Sequence, residues 1–229
     1  MKITKSNAIA ISLIAVAAIV LLILWRPASS YSLHLDGRFE SMRLLGEFIR
    51  DNKPGESVLL VGNPFVQRPD ATEKIKDHDT MGHDGLRTGL GENVTVTKVY
   101  PELSESYLKD PNSVFIPPKS KTPLSFIVDA ASFQSLADAH ADHKVVVSLI
   151  GLPKGIQRQS LWNESEATSF ALLLPDFRLL GRSSDVISQF ENGKILAVVI
   201  NDAETGKPFI VHKGNAAQVI KSQPGAFGW

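Results

Sequence analysis

Hydrophobic positions along this chain follow three rhythms, and each predicts a different element. Residues 8–25 (AIAISLIAVAAIVLLILW) form one uncharged apolar run. As a helix rising 1.5 Å per residue, a run of this length approaches the roughly 30 Å hydrocarbon thickness of a bilayer, where only a helix satisfies its own backbone hydrogen bonds. Lys2, Lys5 and the α-amino group precede it, and Trp25-Arg26 ends it as an interfacial anchor would. That asymmetry favours a cytoplasmic N-terminus. A cleaved signal peptide is the competing reading, with Ala28-Ser29-Ser30 ahead of a cut at Tyr31. Signal h-regions usually span only about 7–15 residues. The expectation is therefore a tail and anchor over 1–26, a linker over 27–35 and an extracytoplasmic domain over 36–229, with the lipid bilayer as partner of residues 8–25.

Beyond the anchor, the second rhythm is helical. Phe39, Met42, Leu45, Phe48 and Ile49 recur at three- and four-residue spacing behind Asp36, a candidate cap, and Pro54-Gly55 ends the pattern. Further helices are expected over 80–90, 130–141, 184–191 and 215–221, with a short one over 104–109 in the proline-rich stretch 100–123. The third rhythm is that of strands. Residues 57–61 and 144–150 are continuous apolar runs, as burial on both faces requires, whereas 94–99 alternates and is expected beside the first strand. Strands are also expected over 124–128, 169–174 and 194–200, with an added edge strand over 208–212. The predicted fold class is α/β: a single N-terminal transmembrane helix followed by a doubly wound, mostly parallel sheet, a Rossmann-like three-layer α/β/α arrangement.

Charge narrows the function classes. The whole chain carries 24 basic and 24 acidic residues, and 27–229 carries 21 and 24, a net charge of −3 without long single-sign blocks. Phosphate backbones need clustered Lys and Arg, and Lys119-Ser120-Lys121 is too short to form such a groove, so no nucleic-acid partner is expected. The chain has no cysteine, which excludes disulfides, thiolate nucleophiles and thiolate metal sites.

In an open parallel sheet, ligands bind outside the carboxyl ends of the strands. The candidates there are Asn63, Asp129, Lys154 and Asp176, a set suited to hydrogen-bonding a polar small molecule or to acid–base work. The same residue types serve as helix caps and turn residues, and that reading stands beside the first. His78 and His83, among Asp77, Asp79 and Asp84, are the candidate metal ligands. Their five-residue spacing does not put them on one helical face, and no metal site is assigned. His140 and His143 flank a helix end and are read as capping its carbonyls. No phosphate-cradling loop and no nucleophile elbow occur, so no cofactor and no catalytic residue is assigned.

The segment Asp84-Gly85-Leu86-Arg87-Thr88-Gly89-Leu90-Gly91, leading into Asn93-Val94-Thr95-Val96, resembles the first helix and second strand of bacterial extracytoplasmic substrate-binding proteins of the type I periplasmic-binding fold. That resemblance implies two lobes with a ligand between them, and the 203 residues of 27–229 hold one lobe with extensions. A helix with glycines for close packing before a parallel strand gives the same pattern. The expected function is a non-catalytic binding or scaffolding subunit with membrane or envelope protein partners. Alternatives are a small-molecule binding or sensing domain using the strand-end crevice, and a hydrolase or transferase built on the strand-end carboxylates.

Overall fold

The computed structural model describes residues 30–118, 120–163 and 168–229, and one compact unit spans Leu35–Trp229. The expected membrane helix, 8–25, lies outside the described residues, among which no helix is long and apolar enough to cross a membrane. Six strands form one sheet: β1 (Val58–Val61), β2 (Val96–Val99), β3 (Val145–Ser148), β4 (Ser169–Leu173), β5 (Ile195–Asn201) and β6 (Pro208–His212). Their order is β2-β1-β3-β4-β5-β6, with the first five parallel and β6 antiparallel to β5.

Position in the sheet follows from the apolar pattern. Every residue of β1, β3 and β4 is buried, as continuous runs covered on both faces must be. In contrast β2, which carries Thr97 and Lys98, is half-buried and takes one edge. β6 begins with Pro208, whose missing N–H is tolerated on an edge, and takes the other. The main helices are α1 (Ser30–Asn52), α2 (Glu73–Leu90), α3 (Ala130–Ala139), α4 (Ser183–Glu191) and α5 (Ala216–Ser222). The chain passes through α2 to the strand on one side of β1 and through α3 back to the strand on the other, and the right-handed rule for such crossovers assigns these two helices to opposite faces.

Three expectations need correction. The segment 124–128 is no strand. Pro123 opens a 3-10 turn, Pro123–Phe126, and Val128 makes only an isolated bridge to Leu103. Both slots beside β1 are filled by β2 and β3, and proline suits the first position of a helical turn. α1 begins at Ser30, so Asp36 lies inside the helix; no proline or glycine interrupts residues 30–35. α2 begins at Glu73, seven residues before the expected start, because its first two turns are almost wholly polar and show no apolar period.

α1 and α2 meet backbone to backbone. A Cβ on Gly85 would stand 2.3 Å from the Phe39 carbonyl oxygen, on Gly89 2.0 Å from that of Arg43, and on Gly46 2.5 Å from that of Leu86. These distances are far inside van der Waals contact, so only glycine permits the approach. Gly89→Ala is expected to lower the unfolding free energy by about 1–3 kcal/mol through overpacking. Gly37→Ala, on the same α1 but with nothing within 4 Å of the added methyl, is expected to be neutral or slightly stabilising. Urea denaturation of the two variants checks this, and equal midpoints would refute the packing account.

Candidate functional site

The strand order reverses between β1 and β3, and the crevice outside their carboxyl ends is where open α/β sheets hold ligands. A cavity of about 200 Å³ lies there. The turn after β1 contributes Asn63, the end of β3 contributes Leu149 and Ile150, α1 contributes Arg38 and α2 contributes His78 and Asp79. Lys121, Thr122, Pro123 and Leu124 form the remaining wall. This wall is the segment that is not a strand. The Ser125 hydroxyl docks it over β3 by donating to the Ile150 carbonyl at 2.8 Å. Gly151, with φ of +77°, lets the chain turn away from β3 where a side chain would collide with Ser125 and Thr122.

Asp79 joins the elements around the crevice. Buried on α2, its carboxylate accepts the Asn63 backbone N–H at 2.9 Å and the Tyr100 hydroxyl at 3.2 Å, and it pairs with the Lys98 ammonium at 2.5 Å. Gly62 is tied to the same arrangement, because a Cβ there would stand 2.8 Å from the Tyr100 ring and 2.9 Å from Asp79. Burial works against the charged Lys98, but Asp79 outweighs it and, with help from Tyr100, holds the lysine above its ordinary pKa. Burial and then the Asp79 charge push the Tyr100 phenol upward as well.

Arg38 is placed differently. Its Nε–H donates to the His78 carbonyl at 2.7 Å and one terminal nitrogen donates to the Leu149 carbonyl at 3.5 Å. Among the described residues no carboxylate lies within 4.0 Å of it, and burial lowers its pKa despite the Asp79 charge. Thr122 is 4% exposed, and its hydroxyl has no hydrogen-bond partner among the described residues.

Of the four candidates named from the sequence, Asn63 lines the cavity. Its side-chain oxygen accepts the Phe65 N–H at 3.0 Å and caps the turn Pro64–Gln67. Asp129 caps α3 by accepting the Ser132 N–H at 2.8 Å. Lys154 is exposed, with its backbone N–H donated to the Ser125 carbonyl at 2.7 Å. Asp176 accepts from Ser120 and from the Arg178 guanidinium, each at 2.8 Å; burial raises its pKa, but these partners together bring it below the ordinary carboxylate value. None of these last three lines the cavity. The sequence reading missed Arg38, Thr122 and the joining role of Asp79, the last of which was visible only as part of Asp77-His78-Asp79.

His78 and His83 both sit on α2, where the His83 ring nitrogen faces Asp84 at 3.0 Å. His140, Asp142 and His143 bring one ligand atom each within 4.8 Å of one another. His140 stands at the C-cap of α3, where its backbone N–H, not its imidazole, donates to the Ala137 carbonyl. His143 is instead buried between Asp142 and Thr97, at 2.9 Å from each. Both His143 ring nitrogens are thus engaged, and a metal ion there would have to displace one of these two partners. Two larger hollows, of about 320 and 490 Å³, lie around Lys144 and Thr168 at the amino ends of β3 and β4 and beside the β5–β6 hairpin. Neither is at the point where the strand order reverses.

No protein-family model and no curated sequence matches the chain. Solved structures with a related chain trace include a carbohydrate transporter protein of Acidothermus cellulolyticus 11B in complex with myo-inositol (12% identity, 82% of this chain and 63% of that one, TM-score 0.42). An ABC transporter periplasmic solute-binding protein of Actinobacillus succinogenes 130z with bound D-allose matches at 8% identity, over 80% and 61%, with a TM-score of 0.48. An ABC transporter solute-binding protein of Mycobacterium smegmatis with bound glycerol matches at 13% identity, over 80% and 62%, with a TM-score of 0.49. The chain thus spans about three fifths of the length of these proteins. All three TM-scores lie below 0.5, and the likeness carries no argument about what this chain does.

Breaking the Lys98–Asp79 pair tests the construction of the crevice. Lys98→Met leaves a buried carboxylate with neutral donors only, and the expected loss is about 3 kcal/mol, with partial recovery when Asp79→Asn is added. Folding raises the Lys98 pKa above its ordinary 10.5, so the pair's contribution is complete below that value and is lost as pH rises through the raised one. The urea midpoint of the parent should therefore fall at alkaline pH, with a smaller fall in Lys98→Met. Parallel pH profiles would remove Asp79 and Lys98 from this role.

Proposed function

We propose that residues 35–229 form a non-catalytic binding domain for a small polar molecule, held in the crevice at the carboxyl ends of β1 and β3 and carried at a membrane by residues 8–25. One observation carries this reading. The cavity at the reversal of strand order brings together a guanidinium without a carboxylate partner and a buried hydroxyl without any partner among the described residues. Groups left in that state are what a site for a polar ligand needs. The carboxylates of the hydrolase alternative, Asp129 and Asp176, are already engaged in a helix cap and an arginine pair.

The test is a thermal-unfolding survey of the full chain against polar metabolites, compared with Leu124→Trp, which adds bulk to the cavity wall. A ligand at a hundred times its Kd stabilises by about 2.7 kcal/mol, or roughly 5–10 °C for a domain of this size. The expected result is a saturable rise of that order that Leu124→Trp abolishes. The reading falls if no metabolite stabilises the parent, or if the variant responds equally.

A docking role has one observation in its favour. Leu108, Phe115 and Ile116 are exposed large apolar side chains within the proline-rich stretch. Such side chains mark contact surfaces when they gather into a patch. If a membrane or envelope partner docks there, Phe115→Glu should release a protein that co-purifies with the parent chain in mild detergent while leaving the melting midpoint within about 0.5 kcal/mol of its original value. A partner retained by the variant would exclude this surface.

A further inference from the structure

Within the ligand-binding reading, on which this inference rests, the uncommitted hydrogen-bonding groups of the cavity lining are weighted toward donors. Arg38 has five N–H donors, and its bonds among the described residues use two, both to carbonyl oxygens. The Asn63 side-chain oxygen is spent on the Phe65 N–H, which turns the amide nitrogen, a pure donor, into its uncommitted end. The Thr122 hydroxyl, itself fully buried at the same wall, has its donor and its lone pairs uncommitted, and Lys121 adds an exposed ammonium there. Asp79 is the carboxylate of the cavity lining. It already accepts from Asn63 and Tyr100 and is neutralised by Lys98. Donors and positive charge therefore outweigh free acceptors at the cavity, whose carboxylate is already occupied.

We infer that the crevice recognises a small oxyanion, a carboxylate or phosphate group, through the Arg38 guanidinium and the Thr122 hydroxyl, with Asn63 and Lys121 beside them. Guanidinium is the side chain whose planar fork matches both kinds of oxyanion, and a desolvated guanidinium gains most from a charged acceptor. Size agrees with this. About 200 Å³ is below the few hundred Å³ of an ordinary ligand cleft and accommodates an anionic head group rather than a whole bulky metabolite. A hydroxyl buried without a partner costs stability in the empty protein and is relieved when an acceptor arrives. Thr122 therefore carries a signature that a merely structural residue would lack: replacing it by the isosteric valine should stabilise the unliganded chain and weaken the ligand.

The experiment titrates the full chain and its Arg38→Lys and Thr122→Val variants with inorganic phosphate, succinate and D-glucose, each at ionic strength matched with sodium chloride, by calorimetry and thermal unfolding. Phosphate and succinate separate the two sources of the anion, and glucose stands for a neutral polyol. The expected result is saturable binding of phosphate or succinate by the parent, weakened at least tenfold by Arg38→Lys, which keeps the charge but loses the fork, and severalfold by Thr122→Val, whose own midpoint rises. Glucose binding that Arg38→Lys abolishes, without binding of either anion, overturns the oxyanion inference and leaves the ligand-binding reading in place. Anion binding that is equal in all three proteins is an adventitious ion only and overturns the inference. Saturable binding of none of the three probes overturns it as well.

Discussion

Because Gly46, Gly85 and Gly89 carry no Cβ, α1 and α2 approach until carbonyl oxygens of one helix fill the volume a methyl group would take on the other. That contact decides how far the side chains of α1 reach. Arg38 extends past α2 to the His78 carbonyl and on to the Leu149 carbonyl beyond β3, and Arg50 reaches the Gly89 carbonyl at 3.0 Å. A wider spacing between the helices would withdraw the guanidinium from the cavity and leave Leu149 without that donor. The close approach is thus the condition on which the positive charge of the crevice depends, although no glycine touches the crevice through a side chain.

The crevice needs a second, electrostatic constraint. Asp79 is buried, and a buried carboxylate is costly unless charge and hydrogen bonds surround it. Its partners come from three places: the turn after β1 through Asn63, the end of β2 through Lys98, and Tyr100 just beyond that strand. Each is a separate connection across the carboxyl ends of the sheet. The carboxylate therefore acts less as a source of net stability than as a device that fixes the relative positions of α2 and the two strand ends, since only one arrangement satisfies all three donors.

The sheet was largely legible in the sequence because burial on both faces leaves no room for polar residues. The runs 57–61 and 144–150 read as strands buried on both faces, 94–99 was placed beside the first of them, and 208–212 was read as an added edge strand. The segment 124–128 misled for the same reason: Phe126, Ile127 and Val128 are buried, yet they pack from a 3-10 turn and the residues just after it and not from a ladder. Composition reports burial, and pairing depends on which slots of the sheet are already taken. The site was harder to read. Asn63 was found because it follows a strand directly. Arg38 lies on a helix about twenty residues before that strand, where an arginine looks like any solvated charge, and nothing local to Thr122 tells that its hydroxyl ends without a partner. Those properties exist only after long-range packing. The glycines of α2 were legible as a close-packing motif, and the helix they face was the missing half of that observation.

The strand-end residues also explain why function does not follow from polarity alone. Asn63, Asp129 and Asp176 all stand where ligands bind in folds of this kind, but each begins by satisfying a nearby backbone N–H: that of Phe65, Ser132 or Arg178. A cap consumes an acceptor. For the two carboxylates this uses much of what the side chain offers, and Asp176 commits the remainder to Arg178 and Ser120. For an asparagine the same cap leaves an amide donor unspent. In the crevice itself the Asp79 carboxylate is committed to the fold while donors of Arg38 and Asn63 remain open, so a ligand rich in acceptors finds more partners there than one rich in donors.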